Sequence, residues 1–177
     1  EKNCSDAIRA ALGMQYALDR LNKIELKDFQ VELRSGIGIN FGRAYVGHLG
    51  HPTHRQFSVI GDPVNVASRI QNHTKATQTK ILISKSILTG VAAEILQIGQ
   101  TFNPQLAGIE NPVVLYELLG FKEMDLQLEL QASLHQMLED EDEFARIFYE
   151  KVPFFIKNVS CESCKSCKSA LLFLCLI

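Results

Sequence analysis

An asparagine and an arginine four residues apart, Asn65 and Arg69, form the pair best suited to chemistry in this 177-residue chain. They sit in the string Phe57-Ser58-Val59-Ile60-Gly61-Asp62-Pro63-Val64-Asn65-Val66-Ala67-Ser68-Arg69-Ile70. The string passes from a short apolar run through Gly-Asp-Pro into a helical pattern. Asp62 suits an N-cap, and Pro63 suits the first helical position, where a missing N–H costs nothing. A spacing of four puts Asn65 and Arg69 on one helix face. Arginine offers a rigid fork of donors, asparagine a donor and an acceptor, and the helix end a partial positive charge. Such a group fits negative charge developing on phosphate or ribose oxygens. The pair alone also has a plainer use, because such residues on a surface helix are commonly solvated or ion-paired.

Two other clusters invite a metal reading. His48, His51 and His54 share a polar, turn-rich stretch, with His73 further on; Pro52 in their midst favours a solvated loop over a zinc site. Four of the five cysteines are Cys161, Cys164, Cys167 and Cys175. The C-x-x-C-x-x-C run lacks a fourth thiolate at an iron–sulfur offset and a following histidine for zinc. An unstructured tail accounts for it better.

The elements that must position Asn65 and Arg69 read as follows. Asn3 to Asn22 is an amphipathic helix, with Ala7, Ala10, Ala11, Met14, Ala17, Leu18 and Leu21 at helical spacing and Gln15 on another face. Val31 to Arg34 alternates as a half-buried strand and runs on through Ile37 and Ile39. Gly42-Arg43 suits a hairpin turn into a second strand, Ala44 to Val46. His48 to Gln56 is a loop, Phe57 to Ile60 a third strand, and Pro63 to about Thr74 the helix of the pair. Lys80 to Ile83 is a buried strand, and Ser84 caps a brief helix over Lys85 to Leu88. Gln97 to Phe102 and Val113 to Leu118 are closing strands. Lys122 to about Lys151 is helical, with Leu126, Leu130, Leu134, Met137 and Leu138 in one stripe. This mixture of helices, strands and hairpins predicts an α+β sandwich.

The order of the pieces is more specific than any one of them. Arg34-Ser35-Gly36-Ile37-Gly38-Ile39-Asn40-Phe41-Gly42, then Val46-Gly47, then Ile60-Gly61-Asp62-Pro63-Val64-Asn65-Val66-Ala67-Ser68-Arg69 resembles the C-terminal half of a class III nucleotide cyclase catalytic domain. The resemblance covers about Ser5 to Gly120. It implies a ferredoxin-like sheet with helices packed on it, incomplete at the N-terminus, and C-terminal helices beyond. It also implies conversion of a nucleoside triphosphate to a 3′,5′-cyclic monophosphate, assisted by two divalent metal ions, Mg or Mn. By the same resemblance Asn65 orients the ribose and Arg69 binds the α-phosphate. Ser58 occupies the purine-reading position, with Val59 beside it in the substrate site. A hydroxyl there places the chain with the Thr/Ser subgroup and favours ATP over GTP.

Two departures follow from the comparison with that pattern. The family's metal-binding aspartates, and the lysine that partners the purine-reading residue, are expected upstream of residue 1; Asp6, Asp19 and Asp28 do not stand in such contexts. No metal ligand is therefore expected in this chain, and the chain by itself is expected to be inactive. Where many relatives carry a lysine for the terminal phosphates, this chain has Leu106-Ala107-Gly108, with Arg55 as a substitute charge. An inactive cyclase homology module, serving in nucleotide binding or dimerisation, is the alternative. Sites of this family form between two domains, so the resemblance implies a homodimer with the active site at the interface.

These readings divide the chain into residues 1–120, the cyclase part; 121–152, a helical linker; and 153–177, an unassigned cysteine-containing tail. The string from Leu134 through Phe144-Ala145, Phe148-Tyr149-Glu150 also resembles the opening of a bacterial globin, without a haem-ligating histidine. A net charge of −2 points to neither nucleic-acid binding nor an acidic tail. No run approaches the ~20 apolar residues of a membrane span, and no secretory signal opens the chain. A cytoplasmic location is expected.

Overall fold

Alternation along one strand sorts the molecule into layers. In the computed structural model, which describes residues 2–24, 26–29, 32–49, 56–91, 93–106, 112–139 and 169–176, that strand is β1, Gly36–Arg43. Ile37 and Ile39 point to one face and are fully buried; Gly36, Gly38, Asn40 and Gly42 point to the other. Helix α1 (Lys2–Ile24) lies over the isoleucine face. Its Cys4, Ala7, Ile8, Ala11 and Leu12 join Ile37 and Ile39 in the main core cluster. Helix α2 (Asp62–Thr77) lies over the glycine face.

Two further strands follow β1, β2 (Tyr45–Leu49) and β3 (Gln56–Ile60). After α2 come β4 (Ile81–Ser84), the short helix α3 (Lys85–Thr89), β5 (Leu96–Phe102), β6 (Leu115–Phe121), helix α4 (Met124–Glu139) and β7 (Ser169–Leu176). The main sheet has the order β5-β6-β4-β1-β7, and β2-β3 is a separate two-stranded ribbon. β1 and β4 are parallel, with Ile37, Gly38 and Ile39 opposite Ile81, Leu82 and Ile83. All other pairings are antiparallel. Parallel neighbours need a crossover, which α2 makes. Ile81 and Ile83 join the α1 side of the core, whereas Leu82 packs with Ile70 of α2, Leu106 and Leu115. The class is α+β, as the sequence predicts.

Several local expectations are corrected, each by a tertiary contact. Residues 32–35 are not a strand. The N–H of Leu33 donates to Asn22 Oδ1 at 2.9 Å, and the Asn22 amide donates back to the Leu33 carbonyl at 2.8 Å. One side chain thereby fills the place of a strand partner. Gln15, predicted off the buried face, is 7% exposed. Its amide donates to the carbonyl and hydroxyl of Ser35 at 3.2 and 2.9 Å, tying α1 to the entry of β1. Gly42-Arg43 is not a hairpin turn: β1 continues through Arg43, and β2 pairs only with β3 among the described strands. Ala44 between them is buried against Ala67.

The C-terminal apolar run is not a loose tail. β7 pairs with every residue of β1, from Gly36 opposite Leu176 to Arg43 opposite Ser169. An unpaired edge of β1 would be a template for any strand, and residues 169–176 occupy it. Cys161, Cys164 and Cys167, and the stretch 140–168 with its globin-like string, lie outside the described residues. Of the α4 stripe, Leu126 and Leu130 pack on the core.

Candidate active site

The site is a strand, a one-residue turn and a helix in direct succession. β3 carries Ser58 and Val59, Gly61 makes the turn, and α2 begins at Asp62. Gly61 has φ 156° and ψ 163°, a region essentially restricted to glycine. Gly61, and not Asp62, occupies the N-cap position; its carbonyl accepts from Val64 N–H at 3.0 Å, and no side chain caps the helix. Asp62 falls in the first turn, where a carboxylate still suits the positive helix end. Pro63 follows it in that turn, at a place that tolerates its missing N–H.

Burial along α2 decides where the pair points. Ala67, Ile70, Gln71 and Thr74 are the buried residues, spaced by three and four on one face. Asn65 and Arg69 lie on the opposite side, Asn65 exposed and Arg69 half-buried. Among the described residues, neither side chain makes a hydrogen bond or an ion pair. The two expected phosphate-and-ribose residues are thus presented together, with their donors uncommitted.

Ser58 is half-buried on β3 opposite Gly47, and Val59 sits opposite Val46. Val59, Val46 and Val64 pack around Ala44 and Ala67, so the ribbon and the first turn of α2 share a small core of their own. That core fixes Ser58 relative to Asn65 and Arg69 through packed side chains as well as through the chain. Burial pushes the Cys4 thiol up from its ordinary pKa, consistent with a core residue rather than a nucleophile.

Nothing in the motif spacing singles out Asn40, yet the structure ties it to the same helix. It is 7% exposed, and its amide nitrogen donates to the Pro63 carbonyl at 3.2 Å. The one sequence signal is a polar residue directly after the Gly-Ile alternation of residues 36–39.

Metal ligands are a different matter. Among the described residues no group of three or more His, Cys, Asp or Glu could hold an ion. Asp19 is engaged by Lys80 at 2.8 Å, and His73 meets the Phe102 ring edge-on at 6.3 Å. His51, His54, Arg55 and Ala107 lie outside the described residues. The described residues do not make a two-metal centre. No described helix is long and apolar enough to cross a membrane.

Comparison with known proteins bears on the family and the fold. Residues 1–116 match the model of the adenylate and guanylate cyclase catalytic domain. The chain is 27% identical over 119 residues to adenylate cyclase 1 of Rhizobium meliloti, covering 67% of this chain and 18% of that protein. It is 36% identical over 96 residues to an adenylate cyclase of Anabaena cylindrica, covering 51% of this chain and 19% of that one. The chain therefore spans about a fifth of the length of these relatives. Among solved structures, the guanylyl cyclase Cya2 superposes with a TM-score of 0.58 at 31% identity, covering 67% of this chain and 60% of that chain. By motif order, fold and family match together, this chain belongs to the adenylate and guanylate cyclase catalytic domain family.

Proposed function

We propose that this chain is the nucleotide-contacting part of an adenylate cyclase, acting in the cytoplasm in cyclic AMP signalling. The reaction joins the ribose 3′-oxygen of ATP to the α-phosphorus and breaks that phosphorus's bond to the bridging oxygen. The products are 3′,5′-cyclic AMP and pyrophosphate. One observation carries the reading: Asn65 and Arg69 stand together on the solvent side of α2, uncommitted among the described residues, one turn of chain beyond Ser58. Asn65 orients the ribose. Arg69 meets the α-phosphate oxygens as charge builds on them, a form of catalysis by positioning and electrostatic stabilisation. The Ser58 hydroxyl accepts from the adenine amino group or donates to a ring nitrogen, with Val59 beside it.

The family's divalent ions need ligands that the described residues do not provide. The test is direct binding. ATP should bind the full chain and GTP should compete poorly, and Ser58→Ala should abolish that preference. Equal affinity for the two nucleotides in the unaltered chain would remove the adenylate assignment. Ala107, where the resemblance calls for a lysine, favours a second reading as a non-catalytic nucleotide-binding module. Cyclic AMP formation by the protein supplied with the metal-binding aspartates separates the two, because the module would bind ATP and form none.

A homodimer with the active site at its interface belongs to the same proposal. Tyr45 and Ile60 are 83% and 55% exposed and stand directly opposite each other on the β2–β3 ribbon. An apolar cross-strand pair left in water suits a protein contact. The double variant Tyr45→Glu, Ile60→Glu should shift the protein from dimer to monomer in sedimentation velocity at micromolar concentration. An unchanged dimer would place the interface elsewhere.

A further inference from the structure

Helix α2 rests on β1 with almost nothing between the two backbones. A Cβ added at Gly38 would lie 2.4 Å from Gln71 N and 2.7 Å from the Ala67 carbonyl oxygen; one added at Gly42 would lie 2.4 Å from Pro63 Cγ. Such an interface is close but smooth. Without side-chain ridges on the strand, few steric features stop the helix from sliding or rolling about its axis. Something directional has to set its register at the end that carries Asn65.

A buried polar cluster does this. The Asn40 amide nitrogen donates to the Pro63 carbonyl in the first turn of α2, at 3.2 Å. That carbonyl has no proton to give, so it must face the amide nitrogen rather than the amide oxygen. The amide oxygen in turn accepts from Ser86 Oγ at 3.2 Å. Ser86 is held by the Phe41 N–H at 3.3 Å and by Ser84 Oγ at 2.7 Å. Asn40 and Ser84 are 7% and 3% exposed, so these bonds act where water does not compete for them. The junction of β4 and α3 therefore fixes the orientation of the Asn40 amide, and the amide fixes the first turn of α2.

We propose that Asn40 is a positioning residue for the nucleotide site: through Pro63 it sets the register and roll of α2, and so where Asn65 and Arg69 present their donors. The inference rests on the nucleotide reading given above. Small displacements of such donors are expensive, a misplacement of about 1 Å costing up to about a hundredfold in favourable cases.

The experiment measures ATP affinity of the full chain for Asn40→Ala, Arg69→Ala and the double variant, with thermal unfolding alongside. Asn40→Ala should weaken ATP binding by about tenfold, a partial displacement on the same scale. The double variant should lose clearly less than the two single losses combined, since once Arg69 is gone Asn40 has only Asn65 left to place. A purely structural role would instead add its penalty in either background. Unchanged affinity in Asn40→Ala, or additive losses in the double variant, would overturn the inference while the nucleotide reading stood. If Arg69→Ala itself left ATP binding intact, both would fall. Should Asn40→Ala not fold, Ser86→Ala carries the test: it frees the amide without removing it. Its affinity should fall less and with the same non-additivity, and an unchanged value overturns the inference.

Discussion

Arg69→Ala is expected to lower the rate of cyclic AMP formation by about a hundred- to a thousandfold in the protein supplied with metal-binding aspartates, the range seen when a preorganised donor to a developing oxyanion is removed. On the proposed reading the loss falls on ATP affinity and, more heavily, on kcat, because the guanidinium would already hold the α-phosphate in the ground state and work hardest where negative charge grows toward the transition state. Folding should be nearly untouched. Arg69 lies away from the buried face of α2 and makes no side-chain bond among the described residues, so its removal opens no cavity and orphans no partner. Arg69→Lys keeps the charge and loses the fork, and should restore only part of the rate. The measurement is steady-state cyclic AMP production beside a melting curve. A folded Arg69→Ala protein with full activity would show that this residue does not meet the reacting phosphate.

That prediction could be framed from sequence because the residues concerned are set by local geometry. A Gly-Asp-Pro turn into a helix, and a spacing of four along it, place Asn65 and Arg69 on one face whatever the rest of the fold does. Their exposure follows from the opposing spacing of Ala67, Ile70, Gln71 and Thr74. The α+β class was legible for a related reason, since the main helical and strand periods are distinct.

What sequence did not disclose depends on contacts between distant segments. The backbone of Leu33 is satisfied by Asn22, eleven positions earlier, so a segment with strand-like alternation stays outside the sheet. Gln15 turns inward because Ser35 is there to receive its amide. Gly42 looks like a turn glycine, but its function is to let the Pro63 ring approach. The apolar run near the C-terminus carries no sign of its partner; only the open edge of β1 makes it a strand. Asn40 belongs with these, for its importance comes from Pro63 and Ser86 and from nothing adjacent to it.

Gly38→Ala should be among the most damaging single-methyl changes in the chain. The new Cβ would meet Gln71 N at 2.4 Å, the Ala67 carbonyl oxygen at 2.7 Å and Gln71 Cα at 2.8 Å. All three are backbone atoms of α2, so no side chain can swing aside to make room. Ordinary contacts between such atoms need about 3.5 Å, and the helix must back away from the sheet by about an ångström to supply it. The cost is on the order of 3 kcal/mol, the upper part of the range for overpacking, and corresponds to a fall of about 10 °C in Tm for a domain of this size. Alanine is the better residue for either secondary structure, so propensity would predict the opposite sign. Gly47→Ala gives the contrast: nothing lies within 4 Å of its added Cβ, and its melting temperature should be unchanged or slightly raised. Because α2 carries Asn65 and Arg69, the surviving folded fraction of Gly38→Ala should also bind ATP more weakly. Melting of the two variants by circular dichroism decides the matter: equal stability would mean that α2 does not rest on the glycine face of β1, and the placement of the whole site would have to be redrawn.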